Sequence, residues 1–252
     1  MVDFTRKITH EDYKNSEKLK KYYHRVVKKI HTKPRKFKKR DYKKSQYRLV
    51  DDNFVASKSG SIATFQIGGG VSLLLLLLLG TLRYLIRDGL NNEILFLMIL
   101  SAFLTIFFVI YGFTMPKKEH ILNRKDGLIT MTGFFWQKNI TMLFKKAEFA
   151  YSTGGEDGVG GFMLQTIRPN KWKTFDIYTI FGGDCYEDMS FITWYMDKNR
   201  PLPPGEAFDP YRQQDFERRK AEGFPKPLYS SKISTPEATK EQQAERKRIG
   251  GW

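Results

Sequence analysis

The sequence predicts a membrane α+β protein: an antiparallel two-helix transmembrane hairpin, followed by a small antiparallel β-sandwich or barrel capped by one C-terminal helix. Three patterns carry that prediction. Ile62 to Leu82 and Ile94 to Met115 are uncharged apolar runs of 21 and 22 residues. At a rise of about 1.5 Å per residue, each is long enough to cross a hydrocarbon core of roughly 30 Å. Pro116 to Arg200 then changes to short alternating runs broken by turn residues, and its end repeats apolar positions at helical spacing. The resulting organisation is a basic cytoplasmic arm (1–60), a helical hairpin (61–115, spans 62–82 and 94–115), a β-domain (116–200) and an extended tail (201–252).

The first segment holds 19 Lys/Arg against 7 Asp/Glu, which is 12 of the chain's 16 net positive charges. Leu19, Tyr23, Val26, Val27 and Ile30 are spaced to share one face of a basic amphipathic helix, which Pro34 would end. Beyond it, KPRKFKKRDYKK places Lys33, Arg35, Lys36, Lys38, Lys39, Arg40, Lys43 and Lys44 around Phe37. Beside an anionic leaflet each cation adds on the order of 1 kcal/mol of attraction, and an aromatic side chain can enter the interface. With Lys117 and Lys118 after the second run, these residues form the predicted lipid surface. Nucleic acid is the weaker electrostatic alternative, because the membrane is adjacent by construction.

A signal peptide is excluded as the source of VSLLLLLLLG because some 60 polar residues precede the apolar run. The connector RYLIRDGLNNE is short, so the two spans are expected to be antiparallel neighbours. It carries two cations, Arg83 and Arg87, against four on each flank, which puts both long flanks in the cytoplasm. Gly68, Gly69, Gly70 and Ser72 let helix backbones approach closely and are the predicted helix-to-helix contact. The leucines supply insertion without such specificity.

In the β-domain, ILNRKDGLITMTG predicts two strands around Lys125-Asp126-Gly127. Ile140, Met142 and Phe144 alternate in the next run, EFAYS and FMLQTIR follow, and in TFDIYTIF the residues Phe175, Ile177, Thr179 and Phe181 are expected on one face. Gly182-Gly183-Asp184 precedes a helix on which Cys185, Met189, Ile192 and Met196 recur, with a cap at its start. Six or seven antiparallel strands followed by one helix resembles a pleckstrin-homology-like domain. Two transmembrane helices joined to such a domain look like a broad group of bacterial membrane proteins. That resemblance covers roughly Ile62 to Arg200 and implies a bacterial cytoplasmic membrane. Local cations that a lipid-binding β-domain would use are Lys117, Lys118, Arg124, Lys125, Lys138, Lys145 and Lys146.

The proline-rich tail lacks a sustained apolar period, yet Phe208, Tyr211, Phe216, Phe224 and Tyr229 are frequent for an inert linker. They are predicted either to strap the tail onto its own domain or to dock on a partner, and docking is the sharper expectation.

No pattern points to catalysis. STGGEDGVGGF carries Glu156 and Asp157 where a phosphate cradle needs a cation, so a hairpin loop is expected. His10, His24, His31 and His120 match no metal-ligand spacing, and a single Cys185 removes thiolate zinc clusters and intrachain disulfides. No cofactor is expected. The functional expectation is a non-catalytic scaffold or accessory subunit that binds anionic phospholipid and other membrane subunits or itself. The alternatives are a subunit of a transport or secretion machine, or a toxin-immunity protein.

Overall fold

The computed structural model describes residues 4–14, 16–38, 47–58, 61–85, 92–152, 162–171, 173–181 and 184–252. The chain forms two compact units. A β unit takes Met1–Lys58, Glu119–Thr132 and Asn139–Trp252, and a helical unit takes Ser59–Lys118 and Gly133–Lys138.

Nine strands are present among the described residues, all of them paired antiparallel. One sheet has the order β1 (Arg25–Val26), β7 (Phe149–Tyr151), β8 (Leu164–Ile167), β9 (Phe175–Ile177). The other runs β2 (Tyr47–Val50), β3 (Phe54–Lys58), β4 (Glu119–Asn123), β5 (Leu128–Met131), β6 (Ile140–Leu143). The β4–β5 turn is the expected one, with Gly127 at φ +67°, a conformation that costs glycine little. Val26 and Phe149 from one sheet and Leu122, Ile129 and Met142 from the other share one apolar core with helix Cys185–Met196.

That helix is capped as predicted, since the Asp184 carboxylate accepts from the Tyr186 backbone N–H. Its burial is not one-sided, because Asp188 through Met196 are all buried. Segments from both ends of the chain cover the face that the two sheets leave open. Phe37 packs on Phe191 and Phe208, and Tyr195 lies 5.7 Å from Phe208 between ring centroids.

Several expectations are corrected here. The segment before the apolar runs is not a separate arm, because β3 pairs with β4 over five residues from Phe54↔Asn123 to Lys58↔Glu119. Its amphipathic helix shrinks to α1 (Ser16–Lys20). Val26 pairs with Phe149 instead and is buried with Leu19 and Ile30, whereas Tyr23 and Val27 are exposed. In β9 Phe175 and Ile177 do share one face, and it is the exposed one, with Asp176 buried between them. The tail is not simply extended, since it forms a 3-10 turn at Asp209–Tyr211 and helices Arg212–Ala221 and Lys240–Gly250.

In the helical unit, α2 (Ser61–Leu85) and α3 (Asn92–Thr114) account for the two apolar runs. Among the described residues one helix, Asn92–Thr114, is long and apolar enough to cross a membrane, and a shorter apolar stretch, Ile67–Leu82, lies within α2. The described residues thus show one candidate span where the sequence predicts two. The remaining helices of the β unit are α4 (Cys185–Met196), α5 (Arg212–Ala221) and α6 (Lys240–Gly250).

Candidate functional site

The helical unit packs inside out. Leu74, Leu77, Phe103, Ile106 and Phe113 are exposed, while Ser72 and Ser101 are buried between the helices. A Cβ added at Gly68 would lie 3.0 Å from Cζ of Phe108, and one at Gly69 would lie 3.2 Å from its Cβ. Glycine is therefore what lets Phe108 seat against α2. The Ser72 hydroxyl donates to the Gly69 carbonyl at 2.9 Å and accepts from Thr105 at 3.2 Å. Contacts 68 to 108 and 72 to 105 run in opposite senses, so the helices are antiparallel. Gly70 faces open space and takes no part in this contact.

At the C-terminal end of α3, the loop Gly133–Lys138 closes the unit. The Lys118 ammonium donates to the carbonyls of Gly133 and Gln137 at 2.7 and 2.6 Å. The Trp136 indole N–H donates to the Thr114 hydroxyl at 2.7 Å, and its ring meets Tyr111 edge-on at 4.9 Å. A Cβ at Gly133 would collide with the carbonyl oxygens of Gln137 and Lys138, which accounts for glycine there. Lys118 is thus a buried structural cation and not a surface one. The sequence reading passed over this loop, although GFFWQK, three consecutive aromatics between two strands, is a visible signal.

The basic segment is strapped along α4. The backbone N–H groups of His31 and Thr32 donate to the Ser190 hydroxyl, and Arg35 donates from its backbone and guanidinium to Glu187. Burial alone would raise the Glu187 carboxyl, but Arg35 outweighs it and holds the group below its ordinary value. Lys33, Lys36, Lys38 and Lys117 are exposed. Phe37 is 1% exposed and cannot be an interfacial anchor. Its backbone meets the tail so closely that a Cβ on Gly205, at φ +145°, would collide with the Phe37 N and O atoms. Lys39, Arg40, Lys43 and Lys44 lie outside the described residues, as do 153–161 of the glycine-rich loop and 86–91 of the helix connector, including Arg87.

The tail aromatics belong to their own fold. Phe208, Phe216 and Phe224 are fully or almost fully buried, Tyr211 packs on the core, and the Tyr229 ring lies 5.4 Å from Phe144. A chain of alternating buried charges fixes the tail. Arg124 donates to the carbonyls of Tyr195 and Arg200 and to Asp215, Asp215 pairs with Arg219, Arg219 forms two bonds to Glu237, and Glu237 pairs with Arg246. Burial would raise the Asp215 carboxyl, but Arg124, Arg219 and Arg218 hold it below its ordinary value. A polar cleft of about 400 Å³ opens on this network, with Asp52, Lys125, Lys198 and Glu222 at its rim.

A second buried cluster ties the two sheets together. The Asp176 carboxylate accepts from His120 at 3.0 Å and from the Thr132 backbone and hydroxyl at 2.7 Å each, and it forms an ion pair with Arg168 at 3.0 Å. These partners pull Asp176 inward and turn its neighbours Phe175 and Ile177 out. Against the pull of burial, His120 and then Arg168 keep this carboxyl below its ordinary value. Cys185 is buried, and burial followed by Asp184 pushes its thiol up to about 11, the opposite of an activated nucleophile. No group of His, Cys, Asp and Glu among the described residues has the arrangement of a metal site.

On the outside of the β unit, the rings of Phe175, Tyr22, His24, Tyr151 and Phe162 touch in series at 4.9 to 6.1 Å. Tyr23 extends this surface at 86% exposure. No protein family, no curated protein and no solved structure matches this chain.

Proposed function

We propose that the chain is a two-span, non-catalytic membrane scaffold or accessory subunit, whose β unit, of pleckstrin-homology-like type, lies in the bacterial cytoplasm. The observation that carries this reading is the pairing of β3 with β4. Lys58 and Glu119 are register partners, so their Cα atoms are about 5 Å apart. If α3 alone crossed a bilayer, the same two residues would be separated by a hydrocarbon core of about 30 Å. A paired β3–β4 ladder requires an even number of crossings between them, and α2 is the other long helix described in that interval. The cation balance of flanks and connector then puts both termini inside.

An interaction role follows from the exposed ring series on the β unit, because contiguous apolar surface of this kind marks contact with other macromolecules. The His120–Asp176 pair is committed to joining sheets, and the polar cleft offers no paired nucleophile and base among its lining residues. A subunit of a transport or secretion machine is compatible with the same layout. Anionic lipid would be met by Lys33, Lys36, Lys38 and Lys117.

Cysteine labelling in sealed vesicles tests this reading. With Cys185→Ala as background, Asn91→Cys is expected to react from the side opposite to both termini. Labelling of Asn91→Cys from the same side as the termini would remove the two-span reading. Purification from the native membrane is expected to bring a stoichiometric partner or a second copy, and Phe175→Glu is expected to lower its recovery. A monomer eluting alone would overturn the scaffold role.

A further inference from the structure

We propose that the loop Gly133–Lys138 is a third membrane-contact element, which seats Phe134, Phe135 and Trp136 in the lipid headgroup and acyl boundary at the end of α3. This rests on the membrane-spanning reading and adds a contact that this reading does not require. The loop connects β5 to β6, two strands of the β unit, yet it packs with the helices. Its three aromatic side chains are 40%, 36% and 44% exposed, Phe135 and Trp136 pack on Phe107 and Tyr111, and Ile110 and Phe113 are exposed near the same end of α3.

The level is set by hydrogen bonds. Trp136 is held to Thr114, the last residue of α3, and Phe135 and Trp136 both pack on Tyr111 one turn earlier. A helix of 23 residues extends about 35 Å, slightly more than a hydrocarbon core. Its final turn therefore stands at the interface, where the amphipathic rings of tryptophan and tyrosine are most stable. Exposed Lys117 and Lys138 flank the loop and suit the phosphates of that layer.

The loop is also built to hold this display. Phe135 has φ +42°, a left-handed conformation that is unfavourable for a bulky residue. Lys118 fastens both ends of the loop through two carbonyls, and Gly133 permits the close return of the chain. Packing on Tyr111 leaves all three rings more than a third exposed, and Phe135 is held in this display against its backbone preference. Seated in lipid, they regain the burial they lack in the protein.

The test uses the full chain with Cys185→Ala and a spin label at one of three positions, reconstituted in vesicles of phosphatidylcholine with a minority of phosphatidylglycerol. Collision with oxygen and with a water-soluble nickel chelate reports depth. A label at Phe103→Cys is expected deep, one at Phe134→Cys shallow but shielded from nickel several-fold relative to Phe175→Cys, and the last in water. If position 134 is as open to nickel as position 175 while 103 is deep, the loop proposal is overturned and the spans stand. If 103 is also in water, the spanning reading itself has failed. A second measurement needs no label: lipids brominated near the headgroup are expected to quench part of the wild-type tryptophan fluorescence, and Trp136→Phe should remove that part. Identical quenching in both proteins would overturn the proposal.

Discussion

The two units of this molecule bury opposite chemistry. In the helical unit Ser72, Ser101 and the small surface of Gly68 and Gly69 are enclosed together with Leu79 and Tyr111, while Leu74, Leu77, Phe103, Ile106 and Phe113 face outward. In the β unit Ile129, Met142, Phe149 and Phe191 are enclosed. That difference is what the proposed membrane location of the helical unit would reward. Water drives apolar area inward, whereas lipid is as apolar as leucine and leaves close packing and hydrogen bonds to hold helices together.

The contrast breaks first at buried charge. Arg219→Ala would leave Asp215 and Glu237 buried without their partner and is expected to cost about 3–5 kcal/mol, read as a large fall in the melting temperature of the detergent-solubilised chain. Ile106→Lys sets a charge on the outward face of α3, at an expected cost of about 2.5–3.5 kcal/mol of membrane insertion, measured by resistance to carbonate extraction. If α3 faced water, that substitution would be close to neutral. Gly205→Ala strikes the crossing of tail and basic segment. It is expected to destabilise the β unit by about 1–3 kcal/mol and to expose the tail to limited proteolysis.

Acid sharpens the comparison further. Asp176 and Asp215 have folded values held below their ordinary 3.8, so their stabilisation is complete above that pH and is lost as pH falls towards the folded value. The β unit should loosen below pH 3.8, seen as rising protease sensitivity within 119–132 and 162–252. The Gly68/Ser72/Thr105 contact has no ionisable member and should persist there. The smallest effect belongs to Ser72→Ala, about 0.6 kcal/mol for a hydrogen bond between helices in lipid, measurable as weakened disulfide trapping between α2 and α3.

Some of this was legible in the chain. The turn at Gly127, the cap at Asp184, the apolar runs and the closeness of Gly68 and Gly69 to a neighbour all follow from local rules, because each depends on residues within a few positions. The strands YRLV and FVASK were not legible, since they are short and sit in charge-rich surroundings, and the partner that ties FVASK into the sheet, β4, lies across both long helices. Nor was the face of β9. Alternation identified its period, but its phase depends on His120, Thr132 and Arg168, which come from other strands and win Asp176 for the interior. The tail aromatics have no period of their own, and the surface that buries them exists only once α4 and the basic segment are in place.

By itself the sequence determined where the chain is apolar enough to meet lipid, where it turns and where a helix starts. These are properties of composition and of neighbours along the backbone. Tertiary structure alone decided that the residues before the helices belong to the sheet, that the tail is core and that the outward aromatics lie on the β sheet and on the Gly133–Lys138 loop. Burial is settled between segments distant in the chain, and a side chain's surroundings do not exist until those segments meet.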